Sequence, residues 1–321
     1  MVLILSSPGD LSTDLVIDWL RYYKHPFYRL NSSDFIEKTF FYDINNNVIK
    51  INDEVLLMDD INIIWHRKFS FFSNSAFNEK AQNVINKNYL GILAIEFNTM
   101  LRSFWLNIDG KKWLTNPRNI YLNKLEVLQK AKKVGLKIPN TYLLNRKIDL
   151  ERIEKSLITK SVSEASFLKE PEGVYSMYTK EICSDIVYSI VPDTFFTSLV
   201  QETIEKEYEL RIFYLEGKFY SMAIFSQFDE QTKVDFRNYN FEKPNQTIPY
   251  KLPKDIEKKL NVLVRQLDLN CCSIDIVKDQ KGNYYFLEIN PVGQFGMVSN
   301  PCNYHLHKIV AEHLIKSDKI S

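Results

Sequence analysis

Asp275, Glu288 and Asn290 have the types and the spacing to hold a hard cation. Asp275 lies in the run CCSIDIV and the other two in YYFLEIN, with a turn at KDQKGN between them. Both runs are rich in the branched and aromatic residues that suit a half-buried pleat, so they read as a β-hairpin. Glu288 and Asn290 are two apart and point to one face, with Asp275 on the neighbouring antiparallel strand. Three oxygen donors converging from one sheet face suit Mg²⁺, which takes few protein ligands and completes its shell with water and phosphate oxygens. An isolated triple of this kind is usually a solvated face; here the acids interrupt otherwise apolar strands, which argues for a site.

The stretch that positions them runs from Val200 to Gln294 and opens with a second hairpin, ELRIFYL, then EG, then KFYSMAIF. Glu209 and Arg211 break its apolar pattern from one strand face, either as part of the site or as a cross-strand ion pair. Upstream, Lys160 ends the strand LITK before the polar loop SVSEASFLKEPEG, where a lysine can meet phosphate as a point charge.

The 321-residue chain exceeds one ordinary domain and can bury a substantial core. Hydrophobic residues are 45% and charged residues 25%, and the net charge of +1 supplies no field-driven attraction to nucleic acid or membrane. No run approaches the roughly 20 apolar residues of a membrane span, and MVLILSSPGD has neither the basic leader nor the apolar length of a signal peptide. The four cysteines, Cys183, Cys271, Cys272 and Cys302, form no metal-binding spacing and read as small apolar filling. A cytoplasmic protein is the expectation.

MVLIL reads as a buried strand, followed by a helix TDLVIDWLRYY capped by Ser12 or Thr13, then the strand FYRLN. That βαβ opening predicts a small doubly wound sheet. The loop SSPGD has one glycine, too few for a dinucleotide turn. INIIWHRKF is a further strand whose end could present His66, Arg67 and Lys68 to an anion, or simply to solvent. A helix is expected near 74–106, and another over KLEVLQKAKKVG, capped by Asn119 or Asn123 and ending at Gly135. IPNTYLL and GVYSMYTKEI read as strands, FTSLVQE as a hinge and LNVLVRQL as a core-facing helix. His305 and His307 are placed on a closing amphipathic helix, as surface or satisfied histidines.

In order and separation, QE-x-I-x-KEYELR, VDFRNYN and SIDIV…YYFLEINP resemble an ATP-grasp ligase. The opening ILSSPGDLSTDLVIDWLRYY, IIWHRKF and LTNPRNIYLNKLEVLQKAKKVGLKIPNTYLL narrow the resemblance to the graspetide maturases, of the microviridin and grasp-with-spasm type, over nearly the whole chain. The resemblance implies an α/β (α+β) protein with the ATP-grasp fold behind a Rossmann-like pre-ATP-grasp domain. The domains would be 1–115, a central subdomain 116–198, and a C-terminal subdomain 199–321 carrying the metal.

It further implies ATP and Mg²⁺, two ions, held by Asp275, Glu288 and Asn290. Lys124 and Lys160 would take phosphate charge. The family covers the phosphates with a glycine-rich loop, from which SVSEASFLKEPEG departs by having Gly173 alone, with Ser161, Ser163 and Ser166 able to donate hydroxyls instead. Gln201, Glu202, Thr203 and Asn238 would join the nucleotide site, with adenine beside Glu202 and Thr203 and ribose at Glu209. Arg211 and Arg237 would stabilise the transferring phosphoryl group or an acyl phosphate, with Asp235 as base or orienter; Arg67 is a further candidate. The activity implied joins Asp or Glu side chains of a ribosomal precursor peptide to Ser or Thr hydroxyls or Lys amines. The peptide's leader would be gripped between Asn140 and Pro192, by residues such as Tyr175, Tyr178 and Lys180, and the enzyme would be a homodimer or larger homo-oligomer. A ligase adding free amino acids to a terminus would share the same ATP residues. A non-catalytic nucleotide-dependent binding protein is the second alternative, and intact Asp275, Glu288, Asn290 and Arg211 count against it, because degenerate relatives are expected to lose metal ligands.

Overall fold

The computed structural model describes residues 1–69, 86–108, 110–163, 167–170, 173–176, 179–183, 189–229, 231–238 and 240–319. The chain forms two compact units, Met1–Ile120 with Gln294–Ser321, and Tyr121–Gly293.

In the first unit, β1 (Val2–Ser6) is followed by helix α1 (Leu11–Tyr22) and β2 (Phe27–Asn31). An antiparallel meander comes next, β3 (Phe40–Asp43), β4 (Val48–Ile51) and β5 (Glu54–Leu57), which the sequence reading did not anticipate. The chain then re-enters the main sheet as β6 (Ile63–His66) and, after helix α2 (Lys87–Asn107), as β7 (Lys112–Leu114). The parallel order is β2-β1-β6-β7. Every residue of β1 is buried, as a strand covered on both faces must be. Leu3, Leu5 and Ile64 pack with Phe97, Leu101 and Phe104 of α2. The first part of the helix expected over 74–106 lies outside the described residues. Asp10, rather than Ser12 or Thr13, is the N-cap of α1; its Oδ2 accepts from Thr13 Oγ1 at 2.7 Å.

In the second unit, helix α3 (Lys124–Lys133) is capped by Asn123, whose Oδ1 accepts from the N–H groups of Leu125 and Glu126. It stops before Gly135 at φ +83°. Next come β8 (Thr141–Arg146), β9 (Leu157–Lys160), the hairpin β10 (Phe167–Glu170) and β11 (Gly173–Ser176), then β12 (Lys180–Ile182) and β13 (Thr194–Glu202). A four-stranded sheet has the order β12-β9-β13-β8. The expected boundary at 198/199 falls inside β13, because FTSLVQE continues one strand without a break.

The second, five-stranded sheet contains β14 (Lys206–Leu215), β15 (Lys218–Phe225), β16 (Gln246–Tyr250), β17 (Cys271–Asp279) and β18 (Tyr284–Asn290) in the order β16-β15-β14-β17-β18. The β14–β15 turn puts Glu216 at φ +44° and Gly217 at +85°, the left-handed pair that a two-residue hairpin loop demands. One sheet face is sealed by α3 and by helix α4 (Lys254–Gln266), where Val127, Leu128, Leu260 and Leu263 meet Ile212, Ile274 and Phe286.

Helix α5 (Leu306–Lys319) belongs to the first unit, not with 199–293 as expected from sequence, because it packs on α1 and against β1 and β6. His307 is buried within it, and His305 precedes it at φ +55°. Cys271, Cys272 and Cys302 are buried as expected, whereas Cys183 is exposed. Among the described residues no helix is long and apolar enough to cross a membrane.

Gly293 shows how closely β17 is approached by the loop after β18: a Cβ there would lie 2.3 Å from Ser273 Cβ and Oγ. Gly293→Ala is expected to lower stability by about 1–3 kcal/mol through overpacking. Urea midpoints should show that loss, and Ser273→Gly in the same chain should recover part of it.

Candidate active site

Antiparallel register sets Arg211 of β14 opposite Asp275 of β17, and Asp275 opposite Glu288 of β18. Directly opposed residues share a face, so one guanidinium and two carboxylates stand in a row across three strands. The row lies on the face that α3 and α4 leave free. Arg211 Nη1 donates to both Asp275 oxygens, at 2.8 and 2.7 Å. A bulge at Leu287, between the pairs Asp275–Glu288 and Ile276–Phe286, turns Leu287 and Glu288 together toward a cavity of about 950 Å³.

Cations from other elements converge on Glu288. Lys124 Nζ at the start of α3 lies 3.7 Å from it, and Arg237 Nη1 lies 3.5 Å from it. Lys160, at the end of β9, lines the same cavity. Burial alone would raise the Glu288 carboxyl, but Lys160, Arg237 and Lys124 together hold it below the usual glutamate range. Burial pushes Asp275 the other way, upward, against the pull of Arg211. Burial also lowers Lys160, with Glu288 opposing and Lys124 and Arg237 reinforcing the shift.

Arg237 is aimed by Asp235. Its Nε donates to Asp235 Oδ1 and its Nη2 to Oδ2, both at 2.8 Å, and its backbone N–H donates to Oδ1 at 3.0 Å. These contacts hold the Asp235 carboxyl below its usual range although burial opposes them, and they raise Arg237. A fork gripped at two points is a rigid donor for a phosphoryl or carboxylate group.

The other end of the cavity is built at the end of β13. Gln201 Nε2 donates to Thr141 Oγ1 at 2.8 Å, and that hydroxyl itself donates to the Pro139 carbonyl at 2.9 Å. The hydroxyl proton is committed, so Thr141 must accept, which fixes the Gln201 amide with Oε1 as its remaining acceptor. Among the described residues neither Gln201 Oε1 nor Thr203 Oγ1 has a hydrogen-bond partner, although both atoms are buried. Buried acceptors without donors await a ligand that brings them. Glu202 is held by Lys155 Nζ at 2.7 Å and Asn140 Nδ2 at 2.6 Å.

Of the residues singled out from sequence, Lys160, Gln201, Glu202, Thr203, Glu209, Asp235, Arg237, Asp275 and Glu288 all line this cavity. Lys124 and Arg211 touch it through Glu288 and Asp275. Lys124 Nζ also donates to the Ser163 carbonyl at 2.8 Å. Asn290 is exposed, and its Oδ1 accepts from the Val292 N–H at 3.2 Å. Asn238 Nδ2 donates to the Gln231 carbonyl at 3.0 Å. Arg67, in the first unit, is 3% exposed, 3.3 Å from Asp10 and over the Phe295 ring, so that strand end is buried rather than solvated. Burial holds His66 down to about 4, so it adds no charge there at neutral pH. Ser166 and Tyr178 lie outside the described residues.

Four cavity lysines, Lys155, Lys206, Lys233 and Lys281, were not singled out from the sequence. Lys155 gave no local signal. Lys206 left one, a break in alternation in EKEYELR that places its charge out of phase with Glu209 and Arg211.

Asp275, Glu288 and the Asn290 amide could supply oxygen donors for a hard cation. Among the described residues no group of three or more His, Cys, Asp or Glu side chains gathers, so two carboxylates and an amide are the available set.

Solved structures share this architecture over nearly the whole chain. A RiPP-associated ATP-grasp ligase from Chryseobacterium gregarium, in complex with ADP and a leader and core peptide, superposes with a TM-score of 0.85 at 23% identity, covering 98% of this chain and 96% of that one. The macrocyclase MdnC of Microcystis aeruginosa, bound with precursor peptide MdnA, gives 0.82 at 23% identity, over 98% and 99%. The ATP-grasp ligase PsnB, complexed with minimal precursor, Mg and ADP, gives 0.79 at 16%, over 99% and 97%. The fold is therefore that of the ATP-grasp ligases. No protein-family model matches the chain, and no curated protein sequence matches it.

Lys160 yields a pH test of the site. It attracts phosphate only while protonated, and burial lowers its pKa from the ordinary 10.5. ADP affinity measured by calorimetry should therefore fall as pH rises, beginning below the range where an ordinary lysine titrates. Lys160→Met should bind more weakly at neutral pH and lose that alkaline limb.

Proposed function

We propose that this chain is an ATP-dependent peptide maturase. It activates Asp or Glu side chains of a ribosomal precursor peptide as acyl phosphates and links them to Ser or Thr hydroxyls or Lys amines, giving macrocyclic esters or amides. The observation that carries the reading is the end-to-end likeness to ligases solved with precursor peptides, combined with a cavity that concentrates cations around Asp275 and Glu288.

ATP enters as a substrate. The buried acceptor of Gln201 suits the exocyclic amine of adenine, and Thr203 lies beside it. Asp275, Glu288 and Asn290 form an oxygen donor set that fits magnesium, two ions in the full reading, with Arg211 giving up part of its grip on Asp275. When bound, the metal neutralises phosphate charge and orients the triphosphate. Lys160 and Lys124 attract phosphate oxygens. An attacking carboxylate and a triphosphate repel each other, so aligning them requires fixed positive charge. Arg237, locked by Asp235, and Arg211, locked by Asp275, supply it as forks. As between base and orienter, the ion pair of Asp235 supports the orienter, because a carboxylate held by four hydrogen bonds, three from Arg237 and one from the Thr179 N–H, is a poor base. The carboxylate oxygen attacks the γ-phosphorus and ADP leaves; the hydroxyl or amine then attacks the acyl carbon and phosphate departs. In this reading the leader is gripped between Asn140 and Pro192, where Lys180 is exposed.

The product decides the reading. Each internal link removes one water from the peptide, so co-expression with the neighbouring short reading frame should give a ladder of losses of whole waters by mass spectrometry. A gain of amino-acid mass would instead make the chain a ligase acting on a terminus. Arg211→Ala should lower kcat by about 100-fold or more with a small change in ATP affinity, since it acts on the transferring group, and Arg211→Lys should recover little of the rate. Equal losses in affinity and rate would assign Arg211 to ground-state binding.

A further inference from the structure

Lys206 and Glu209 are three apart in β14, and along a regular strand such residues face opposite sides. Yet Lys206 Nζ donates to Glu209 Oε1 at 2.7 Å. The ladder with β17 supplies the reason. Lys206 pairs with Asp279 and Tyr208 with Lys278, neighbours in β17, so Glu207 is the extra residue of a bulge. The bulge reverses the phase. Tyr208 goes into the core with Leu210, Glu207 turns away to Lys278 at 2.8 Å, and Lys206 joins Glu209 on the cavity side.

From there Lys206 makes a second bond, to the Val234 carbonyl at 3.2 Å. Glu209 Oε1 also accepts from Ser226 Oγ at 2.8 Å. One carboxylate oxygen thus fastens both ends of the 226–234 loop, Ser226 directly and Val234 through the Lys206 ammonium. All three side chains are buried: Ser226 is 0%, Glu209 7% and Lys206 8% exposed. The next residue is Asp235, which grips Arg237, which reaches Glu288.

The geometry points to Lys206 as a positioning residue: its ammonium, re-aimed by the Glu207 bulge, ties Val234 to β14 and so sets where Arg237 stands against Glu288. The kinetic consequence rests on the proposed reading, in which Arg237 acts on the transferring group. The mechanical consequence does not.

Two measurements on the full chain test it. In Lys206→Met, amide hydrogen exchange at Arg237 and Asn238, whose N–H groups donate to Asp235, should quicken by about tenfold or more while β17 and β18 keep their protection. Lys206→Arg, which keeps a cation, should restore most of the slow exchange. Unchanged exchange at Arg237 and Asn238 overturns the inference. If the single variant unfolds because Glu209 is left buried without its partner, Lys206→Met combined with Glu209→Gln removes both charges and carries the same expectation and the same overturning result.

In ATP turnover with the peptide, Lys206→Met should lower kcat on the order of 100-fold while KM for ATP shifts by less than about threefold, with recovery in Lys206→Arg. A KM that rises as much as kcat falls would make Lys206 a nucleotide ligand and sink the positioning role. A wild-type chain that turns over no ATP counts against the proposed function alone, and the exchange measurement then decides the inference by itself.

Discussion

Two carboxylates directly opposite each other on adjacent strands repel, and burial makes the repulsion worse. Asp275 and Glu288 stand in that relation, and the surrounding structure can be read as its compensation. Arg211 comes from the next strand of the same sheet. Lys160 comes from the end of a strand in the other sheet, Lys124 from the start of α3, and Arg237 from the loop after β15. Each element ends or bends where it does with the result that a cation reaches this pair. The pair in turn gives those cations a reason to be ordered in the absence of any anion.

That arrangement suits transfer of a phosphoryl group between anions. A site built only of cations would bind triphosphate tightly and hold it. Here every arginine is already committed to an acid, Arg211 to Asp275 and Arg237 to Asp235, so the positive charge is oriented before substrate arrives and little reorganisation is left for the reaction. The ion pairs also specify geometry. A fork held at two points presents its remaining N–H groups in a fixed direction, which a lysine in the same place would not do. At the far end of the cavity, Gln201 is fixed in one amide orientation by Thr141 and Pro139, so recognition there is equally set in advance.

The two hairpins, the shared face of Asp275 and Glu288, a cap at Asn119 or Asn123 and the lysine at the end of β9 were all legible in the sequence. Each follows from a local rule: alternation, turn composition or capping. What was not legible depends on register. The bulges at Glu207 and Leu287 shift the phase of a strand by one residue, and alternation read along a single strand assumes that no such shift occurs. Lys206 was therefore missed. Asp235 and Arg237 themselves lie within a loop, where periodicity says nothing. The C-terminal helix was assigned by adjacency in sequence to the domain before it, whereas its apolar face is matched by α1, some 290 residues away; no local signal marks that return. The exposure of Cys183 and the burial of Arg67 are likewise set by tertiary packing.

The central claim is that Asp275 and Glu288 are the acids of a magnesium–nucleotide site, held ready by their cations. Its most direct test is the affinity for ADP by calorimetry, with and without magnesium, in the wild-type chain and in Glu288→Gln. The account predicts that magnesium tightens ADP binding several-fold in the wild-type chain. In Glu288→Gln that gain should vanish, while metal-free ADP binds at least as well as before, because three cations have lost a competing acid. A magnesium effect of the same size in both proteins would contradict it.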